Sequence, residues 1–134
     1  MPAGADAGDP ACAPIVVSSP DALLGQPRHE TSSQGTVAWG TGEDAIVLRC
    51  GVPSPPPTTE DCTRVGDPDG VTVDWIVREQ DGVVTYTTYG RTPAIDVSVP
   101  RSVGGDQPSA AVLDLAQLVG QIPATETCTG PEDL

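Results

Sequence analysis

The stretch GVTVDWIVREQDGVVTYTTYG, residues 70–90, decides the fold. Its Asp81-Gly82 pair lies between two runs of β-branched and aromatic residues, and it suits a two-residue hairpin turn because both turn positions need positive φ. A turn closed there places Val77 opposite Tyr86 on the neighbouring strand. The stretch therefore predicts an antiparallel hairpin of defined register.

Alternation along this hairpin separates an apolar face from a polar face. Trp75 and Tyr86 fall on the apolar face, and Asp74 falls on the other. By the same alternation, Arg49 points away from the apolar positions of its own strand. We therefore expect Trp75 and Tyr86 to be buried under a helix, with Asp74 and Arg49 facing away from it.

Three further segments, 36–39, 45–52 and 94–99, have the composition and alternation of strands. Residues 109–119 carry apolar side chains at helical spacing. Near the N-terminus, 13–19 fits a turn of helix or a strand, and Asp21 begins a predicted helical turn that ends at Gly25. The expected fold is α+β: an antiparallel sheet of about five strands, covered on one face by a C-terminal helix and a short N-terminal element, with two disulfides.

The length of 134 residues fits one domain. Residues 1–11 lack a hydrophobic pattern and are predicted to be a disordered lead. Residues 12–123 form the predicted single α+β domain, and 124–134 form a polar tail tethered by Cys128. Residues 54–61, SPPPTTED, are predicted to be an extended exposed loop because proline cannot donate a backbone hydrogen bond.

The composition restricts the partners. Nineteen carboxylates against six arginines, with no lysine, give a net charge of -13. Such a charge repels phosphate backbones and anionic lipid headgroups. We therefore expect no nucleic-acid partner and no direct binding of this domain to a membrane surface.

The cysteines predict the compartment. Their number is even and no two have CxxC spacing, so disulfides are favoured over a zinc site, although four buried free thiols are the alternative. The residues concerned are Cys12, Cys50, Cys62 and Cys128. Because disulfides form outside the cytoplasm, we expect an extracytoplasmic domain, secreted or at the cell surface. Neither a signal peptide nor an apolar span is visible, so we expect its export or anchor segment to be missing from this chain.

The sequence predicts no catalytic residue, no metal site and no cofactor. His29 is the single imidazole, and no GxSxG motif is present. Carboxylate pairs such as Asp67 and Asp69 lie in turn sequences, where acidic residues are common. The GDPDG segment resembles the start of a calcium loop, but the twelfth position counted from Asp67 is Arg78 instead of glutamate.

Arg49, Arg78 and Arg91 lie on or beside predicted strands. Cross-strand ion pairs with Asp74 and Asp96 are their ordinary interpretation. The functional interpretation is a small patch that recognises an anion or a glycan, since arginine forks and aromatic faces suit such ligands. The candidate residues for this patch are Trp39, Arg49, Tyr89 and Arg91.

An ordered set of motifs resembles the actinobacterial family called domain of unknown function 3515. The motifs, which span residues 12 to about 122, are WG at 39–40, VLRCGV at 47–52, VDW at 73–75, TTYGR at 87–91 and VSVP at 97–100. The resemblance implies an exported or membrane-anchored protein of the actinobacterial envelope. It implies no activity, so it transfers no catalytic residues.

The resemblance also implies a disulfide pairing. Many members have only the cysteines that correspond to Cys12 and Cys50, which implies a Cys12–Cys50 bridge and leaves Cys62 with Cys128 by exclusion. The rival pairing joins Cys50 to Cys62 and Cys12 to Cys128. We therefore expect a non-catalytic envelope domain, binding or structural, that contacts an envelope protein or a cell-wall polymer. The alternative is a small envelope hydrolase or ligand carrier that uses carboxylates in a cleft.

Overall fold

A computed structural model describes residues 3–31, 33–55, 62–66 and 68–127. These residues form eight strands, four short helices and a 3₁₀ turn at Gly42–Asp44. The strands are β1 (Ala22–Leu23), β2 (Gln26–Glu30), β3 (Thr36–Trp39), β4 (Ile46–Val52), β5 (Cys62–Gly66), β6 (Thr72–Gln80), β7 (Val83–Thr88) and β8 (Ala94–Pro100). The helices are α1 (Cys12–Val17), α2 (Arg101–Gly104), α3 (Ser109–Asp114) and α4 (Ala116–Val119).

The strands form one antiparallel sheet in the order β1-β2-β3-β4-β8-β7-β6-β5. The prediction of about five strands is wrong, because the described sheet has eight. The predicted strands are its contiguous centre, β3-β4-β8-β7-β6, and the missed strands β1, β2 and β5 lie outside this centre. β1 and β5 are the edges and β2 lies between β1 and β3. These outer strands lack the apolar alternation of the centre, so their sequences carried no strand signal.

The hairpin register is confirmed. Val77 pairs with Tyr86, and Trp75 pairs with Thr88. Both turn residues have positive φ, 54° at Asp81 and 78° at Gly82.

The core lies on one face of the sheet. Trp75 and Tyr86 are buried there, with ring centroids 6.2 Å apart in an edge-to-face arrangement. Ile15 of α1 and Val112 of α3 pack into the same cluster. Asp74 is also buried, but it lies on the other face, where it pairs with Arg64 and lines a cavity with Tyr89, as the alternation along β6 predicted.

The predicted helix over 109–119 is divided at Leu115. The Leu115 amide bonds the carbonyl of Val112, three residues back, and the backbone there has φ -99° and ψ 1°. Leu115 itself is fully buried. The C-terminal cover of the sheet is therefore two short helices, α3 and α4, instead of one helix.

The helical turn predicted from Asp21 is wrong. Ala22 and Leu23 form β1, which pairs with Pro27 and Gln26 of β2. Leu24 and Gly25 both have positive φ, 49° and 76°, so the glycine taken as a helix end is a hairpin turn residue. The preceding segment, for which helix and strand were both open, forms α1.

Hydrogen bonds from Arg28 hold the polar β2 segment in place. Arg28 donates its Nη2 to the carbonyl of Val16 at 2.8 Å and its Nη1 to that of Ser19 at 3.0 Å. Carbonyls at a helix end lack intrahelical partners, and a cation satisfies them well. Arg28 thus attaches β2 to the end of α1.

The N-terminal segment contacts strand β4 where the structure describes it, over residues 3–11. The amide of Asp6 donates to the carbonyl of Gly51 at 2.7 Å, and Ala7 is buried. Gly51 has φ 94°, and a Cβ there would lie 2.3 Å from the carbonyl carbon of Asp6. Position 51, directly after Cys50, is therefore a glycine because the backbone of the N-terminal segment crosses β4 there.

The disulfide between Cys12 and Cys50 is confirmed, with Cα atoms 5.6 Å apart. Both cysteines are buried, at 1% and 0% exposure, and the bridge fixes α1 to β4. Two disulfides were expected, and this is the one whose two cysteines both lie among the described residues. Cys128 of the expected Cys62–Cys128 bridge lies outside the described residues, as do residues 56–61 of the proline-rich loop.

Candidate ligand-binding site

The second face of the sheet carries polar side chains in cross-strand rows, and none of the described helices covers it. We call it the polar face. One row runs Thr36, Arg49, Asp96, Thr87, Ile76 from β3 to β6. Adjacent rows add the polar-face residues Arg64, Asp74, Arg78, Thr85, Tyr89 and Ser98.

Arg49 and Asp96 form an ion pair across β4 and β8. Arg49 donates its Nε to Asp96 Oδ1 at 2.9 Å and its Nη2 to Oδ2. The Asp96 side chain is 7% exposed and that of Arg49 is 23% exposed. The hydrogen bond to Asp96 raises the pKa of Arg49. The guanidinium therefore stays charged and is held rigidly on the polar face.

A second cross-strand pair joins β5 to β6. Arg64 donates its Nε to Asp74 Oδ1 at 2.9 Å, and the two residues are direct neighbours in the sheet. Asp74 is buried, whereas Arg64 is about half exposed. The predicted ion pairing is thus confirmed for Arg49 with Asp96, whereas Asp74 pairs with Arg64, which the prediction did not include.

Tyr89 and Arg91 hold residues 122–127, which we call the C-terminal segment. Arg91 donates to the carbonyl of Ile122 and to that of Thr72, the latter at 3.2 Å. Tyr89 donates its hydroxyl to Glu126 at 3.3 Å. Burial lowers the pKa of Arg91 and, with the nearby Glu126 charge, raises that of Tyr89. Both side chains therefore bind this chain itself.

Trp39 lies on the opposite, helix-covered face. It is fully buried, and its Nε1 donates to the carbonyl of Pro20 at 2.9 Å. The residues of the predicted patch therefore do not form one surface. Of them, Arg49 alone lines the cleft described next.

The polar face contains a cleft of about 330 Å³ at the end of β4, which we call the Arg49–Arg78 cleft. Its described lining is Arg49, Val52, Pro53, Ser54, Pro55, Ile76, Arg78, Thr87 and Asp96. Sequence reasoning missed Arg78, Ser54 and Thr87 as site residues. The hairpin register placed Arg78 and Thr87 on one face, but nothing in the sequence showed that β8 separates that hairpin from β4.

A second cavity of about 270 Å³ lies under the C-terminal segment. Its lining includes Arg64, Arg91 and the two carboxylates Asp74 and Glu126. Both carboxylates already accept hydrogen bonds, Asp74 from Arg64 and Glu126 from Tyr89. Their arrangement binds the C-terminal segment to the sheet.

The histidine and the acidic residues considered in the sequence analysis do not lie together in the structure. His29 is exposed on β2, opposite Ala38. Asp69 accepts a hydrogen bond from Gln117 at 2.6 Å, and Asp67 lies outside the described residues. Among the residues that the structure describes, no three His, Cys, Asp or Glu side chains are grouped so that they could hold a metal ion.

These features define a class of protein: an eight-stranded antiparallel sheet with short helices on one face and an arginine-bearing polar face on the other. Residues 1–127 match the family described as Protein of unknown function (DUF3515), and the chain belongs to this family. The resemblance drawn from the motifs is thereby confirmed. No curated protein and no solved structure matches the chain.

Proposed function

We propose that this chain is a non-catalytic, extracytoplasmic binding domain of the actinobacterial cell envelope, and that its polar face contacts a cell-wall polymer or an envelope protein. The observation that carries the proposal is the polar face. In a chain of net charge -13, two arginines line one cleft on a face that the described helices leave uncovered. Concave sites with a few convergent polar groups are the ordinary form of a ligand site.

The disulfide supports the proposed location. Cys12 and Cys50 are both buried, and their bond connects the N-terminal helix to a central strand. Structural disulfides persist in oxidising compartments and are rare in a reducing cytosol. In the part of the chain that the structure describes, no helix is long and apolar enough to cross a bilayer.

Thiol trapping in cells tests the location. Cells that produce the protein are quenched in acid, denatured and treated with a maleimide polymer before and after reduction. We expect Cys12 and Cys50 to react only after reduction. Labelling of both without reduction would contradict an extracytoplasmic location.

Site-specific photo-crosslinking tests the binding role. A photoreactive residue replaces Thr85 on the polar face, and the matched control replaces Ser18, which is exposed at the end of α1 on the other side of the sheet. We expect crosslinks to envelope components from position 85 and none from position 18. Crosslinks from both positions alike, or from neither, would contradict a binding role for the polar face.

The alternative is a small hydrolase or ligand carrier. One observation favours it, namely that Asp74 and Glu126 line the same cavity. Purified envelope polymer is incubated with the wild-type protein and with Glu126→Gln, and newly released reducing ends are measured. Release by the wild type that the variant lacks would establish the enzyme; no release by either supports the non-catalytic proposal.

A further inference from the structure

The geometry of the cavity beneath the C-terminal segment points to a ligand class: we infer that it binds a small zwitterion, a free amino acid or a dipeptide. We call this cavity of about 270 Å³ the Arg91–Glu126 cavity. The inference goes beyond the proposed function, because no described residue lines both this cavity and the Arg49–Arg78 cleft. It is carried by a buried cation, an exposed carboxylate, and the size and polarity of the cavity that both line.

Arg91 is a buried cation without a carboxylate partner. The residue is 8% exposed, and it forms no ion pair among the described residues, whereas three other arginines each pair with a carboxylate. Its Nη1 and Nη2 donate to the backbone carbonyls of Ile122 and Thr72, and its buried Nε has no acceptor. A buried charge with an unused donor is costly, so this group favours an anionic ligand group such as a carboxylate.

Glu126 supplies a negative charge from the C-terminal segment. It is exposed, and among the described residues it accepts one hydrogen bond, from the Tyr89 hydroxyl at 3.3 Å. A carboxylate has about four acceptor sites, so Glu126 can accept further hydrogen bonds from an ammonium group. Glu126 and Arg91 line one cavity, yet none of the described ion pairs joins them. The two opposite charges are therefore separated, and a ligand can bind both.

The remaining charges of the cavity compensate each other. Arg64 donates to Asp74 at 2.9 Å, and both residues line the cavity. With Arg91 and Glu126, the described lining contains equal numbers of positive and negative side chains. A simple anion is attracted by Arg91 but repelled by Glu126, and for a simple cation the reverse holds. A ligand with one charge of each sign is attracted by both groups.

The size and polarity of the cavity suit a small and very polar ligand. Its volume lies just below the range of about 300–1,000 Å³ that is typical of pockets for drug-sized ligands. Thr72, Thr127 and Tyr89 add hydroxyl groups, and Ala124 is the one apolar residue of the described lining. An amino acid or a dipeptide presents hydrogen-bonding groups over most of its surface, so its chemistry matches this lining.

Isothermal titration of the purified, disulfide-intact protein at low salt and near-neutral pH tests this inference. The probes are L-alanine and glycylglycine. Each is compared with its N-acetyl derivative, which lacks the ammonium group, and with its amide, which lacks the carboxylate. We expect saturable binding of at least one zwitterion, about tenfold or more tighter than that of its own two derivatives, because each derivative loses one charge-assisted hydrogen bond. Amide resonances of Thr72 and Thr127 should shift on binding.

Glu126→Gln is the test variant, since Glu126 is exposed and the glutamine oxygen still accepts the hydrogen bond from Tyr89. Glu79→Gln is the matched control, because it removes the same charge from an exposed glutamate that pairs with Arg101 outside the cavity. We expect Glu126→Gln to weaken binding of the zwitterion about tenfold without weakening that of the N-acetyl derivative, and Glu79→Gln to change neither. A purely structural role of Glu126 would weaken both compounds alike.

Three results would overturn the inference. They are the absence of saturable binding by both zwitterions, binding of a singly charged derivative as tight as that of its zwitterion, and equal losses in the two glutamate variants. If both zwitterions fail to bind while position 85 crosslinks to an envelope component, the zwitterion inference fails and the proposed binding function stands. If a zwitterion binds and position 85 gives no crosslinks, the proposed function fails and the zwitterion inference stands.

Discussion

At the scale of single residues, the polar face depends on carboxylates that are buried beside arginines. Asp96 is almost inaccessible, and Arg49 satisfies both of its oxygens. A buried charge left without its partner retains its desolvation penalty, so each half of such a pair depends on the other.

A double-mutant cycle on Arg49→Ala and Asp96→Ala tests this dependence. We expect each single variant to lower the free energy of unfolding by about 2–3 kcal/mol and the pair to couple by about 1.5 kcal/mol or more. Urea denaturation supplies the values. The exposed Arg101–Glu79 pair is the control, and its coupling should be far smaller. Equal coupling in the two pairs would show that burial does not strengthen the Arg49–Asp96 pair.

The two tyrosines should make the folded state less stable at alkaline pH. Burial raises the pKa of Tyr86 above its ordinary value of 10.0, and burial with the Glu126 charge raises that of Tyr89. Between the unfolded and folded pKa values, the unfolded state has lost protons that the folded state keeps. Stability is therefore fully present below about pH 10 and falls as the pH rises toward the folded values.

Urea denaturation between about pH 8 and about pH 11 measures this effect. We expect the free energy of unfolding to fall at the alkaline end, and to fall less in Tyr86→Phe than in the wild type. An equal fall in both proteins would assign the alkaline limit to other groups.

His29 is exposed on β2, so little should depend on it. We expect His29→Ala to change the free energy of unfolding by less than about 0.5 kcal/mol and to leave ligand binding unchanged. Thermal denaturation measures the stability, and photo-crosslinking from position 85 in the presence of this substitution measures the binding. A large loss of stability or of binding would show that His29 has a role that the non-catalytic proposal omits.

At the scale of elements, the C-terminal segment is held by a close backbone approach. The Thr125 amide donates to the Gly90 carbonyl at 2.7 Å, and a Cβ on Gly90 would lie 2.0 Å from the Glu126 carbonyl oxygen. The position of the segment thus requires glycine on two grounds, a positive φ and the absence of a side chain.

Two glycines of nearly equal φ separate these grounds. Gly90 has φ 79° and Gly82 has φ 78°, but a Cβ on Gly82 meets nothing within 4 Å. We expect Gly82→Ala to destabilise by about 1–2 kcal/mol through backbone strain alone, and Gly90→Ala by roughly 1–3 kcal/mol more through the clash. Denaturation of both variants measures the difference, and equal losses would show that the segment moves away without cost.

The central and outer strands of the sheet differ in how well the sequence predicts them. The central strands alternate between apolar and polar residues because one of their faces packs against helices. β2 and β5 instead follow from Arg28 bonding the end of α1 and from Arg64 pairing with Asp74 on β6. Those interactions join residues 12 and 10 positions apart, but no turn motif or apolar alternation marks them, so local patterns did not indicate them.

At the scale of the whole molecule, the disulfide closes a loop of 38 residues and fixes the N-terminal helix to the sheet. Removing it with Cys12→Ala and Cys50→Ala together should lower the free energy of unfolding by about 4 kcal/mol, since the unfolded chain gains the entropy of the opened loop. Urea denaturation of the double variant gives the value.

Hydrogen exchange locates the effect. We expect the Asp6 amide, which bonds Gly51, to lose protection in the double variant more than the amides of the hairpin do. A loss of stability below about 1 kcal/mol, with Asp6 still protected, would show that packing alone holds the N-terminal segment.

The candidate site was predictable only in part. Arg49 was identified because it alternates with apolar residues on a strong strand, and its pairing with Asp96 was the expected interpretation. Tyr89, Arg91 and Trp39 were grouped with it because sequence order does not show what covers each residue. The fold buries Trp39 under helices and places Tyr89 and Arg91 beneath the C-terminal segment.

The sequence by itself determined the central hairpin and its register, the face that is buried and the family. These properties follow from local turn chemistry and alternation, which depend on neighbours in the chain. The tertiary structure alone decided that β8 inserts between β4 and β7, and so which side chains line one cleft. Arg49 and Arg78 come to that cleft because backbone hydrogen bonds pair strands whatever their side chains, so packing of the whole molecule selects the strand order.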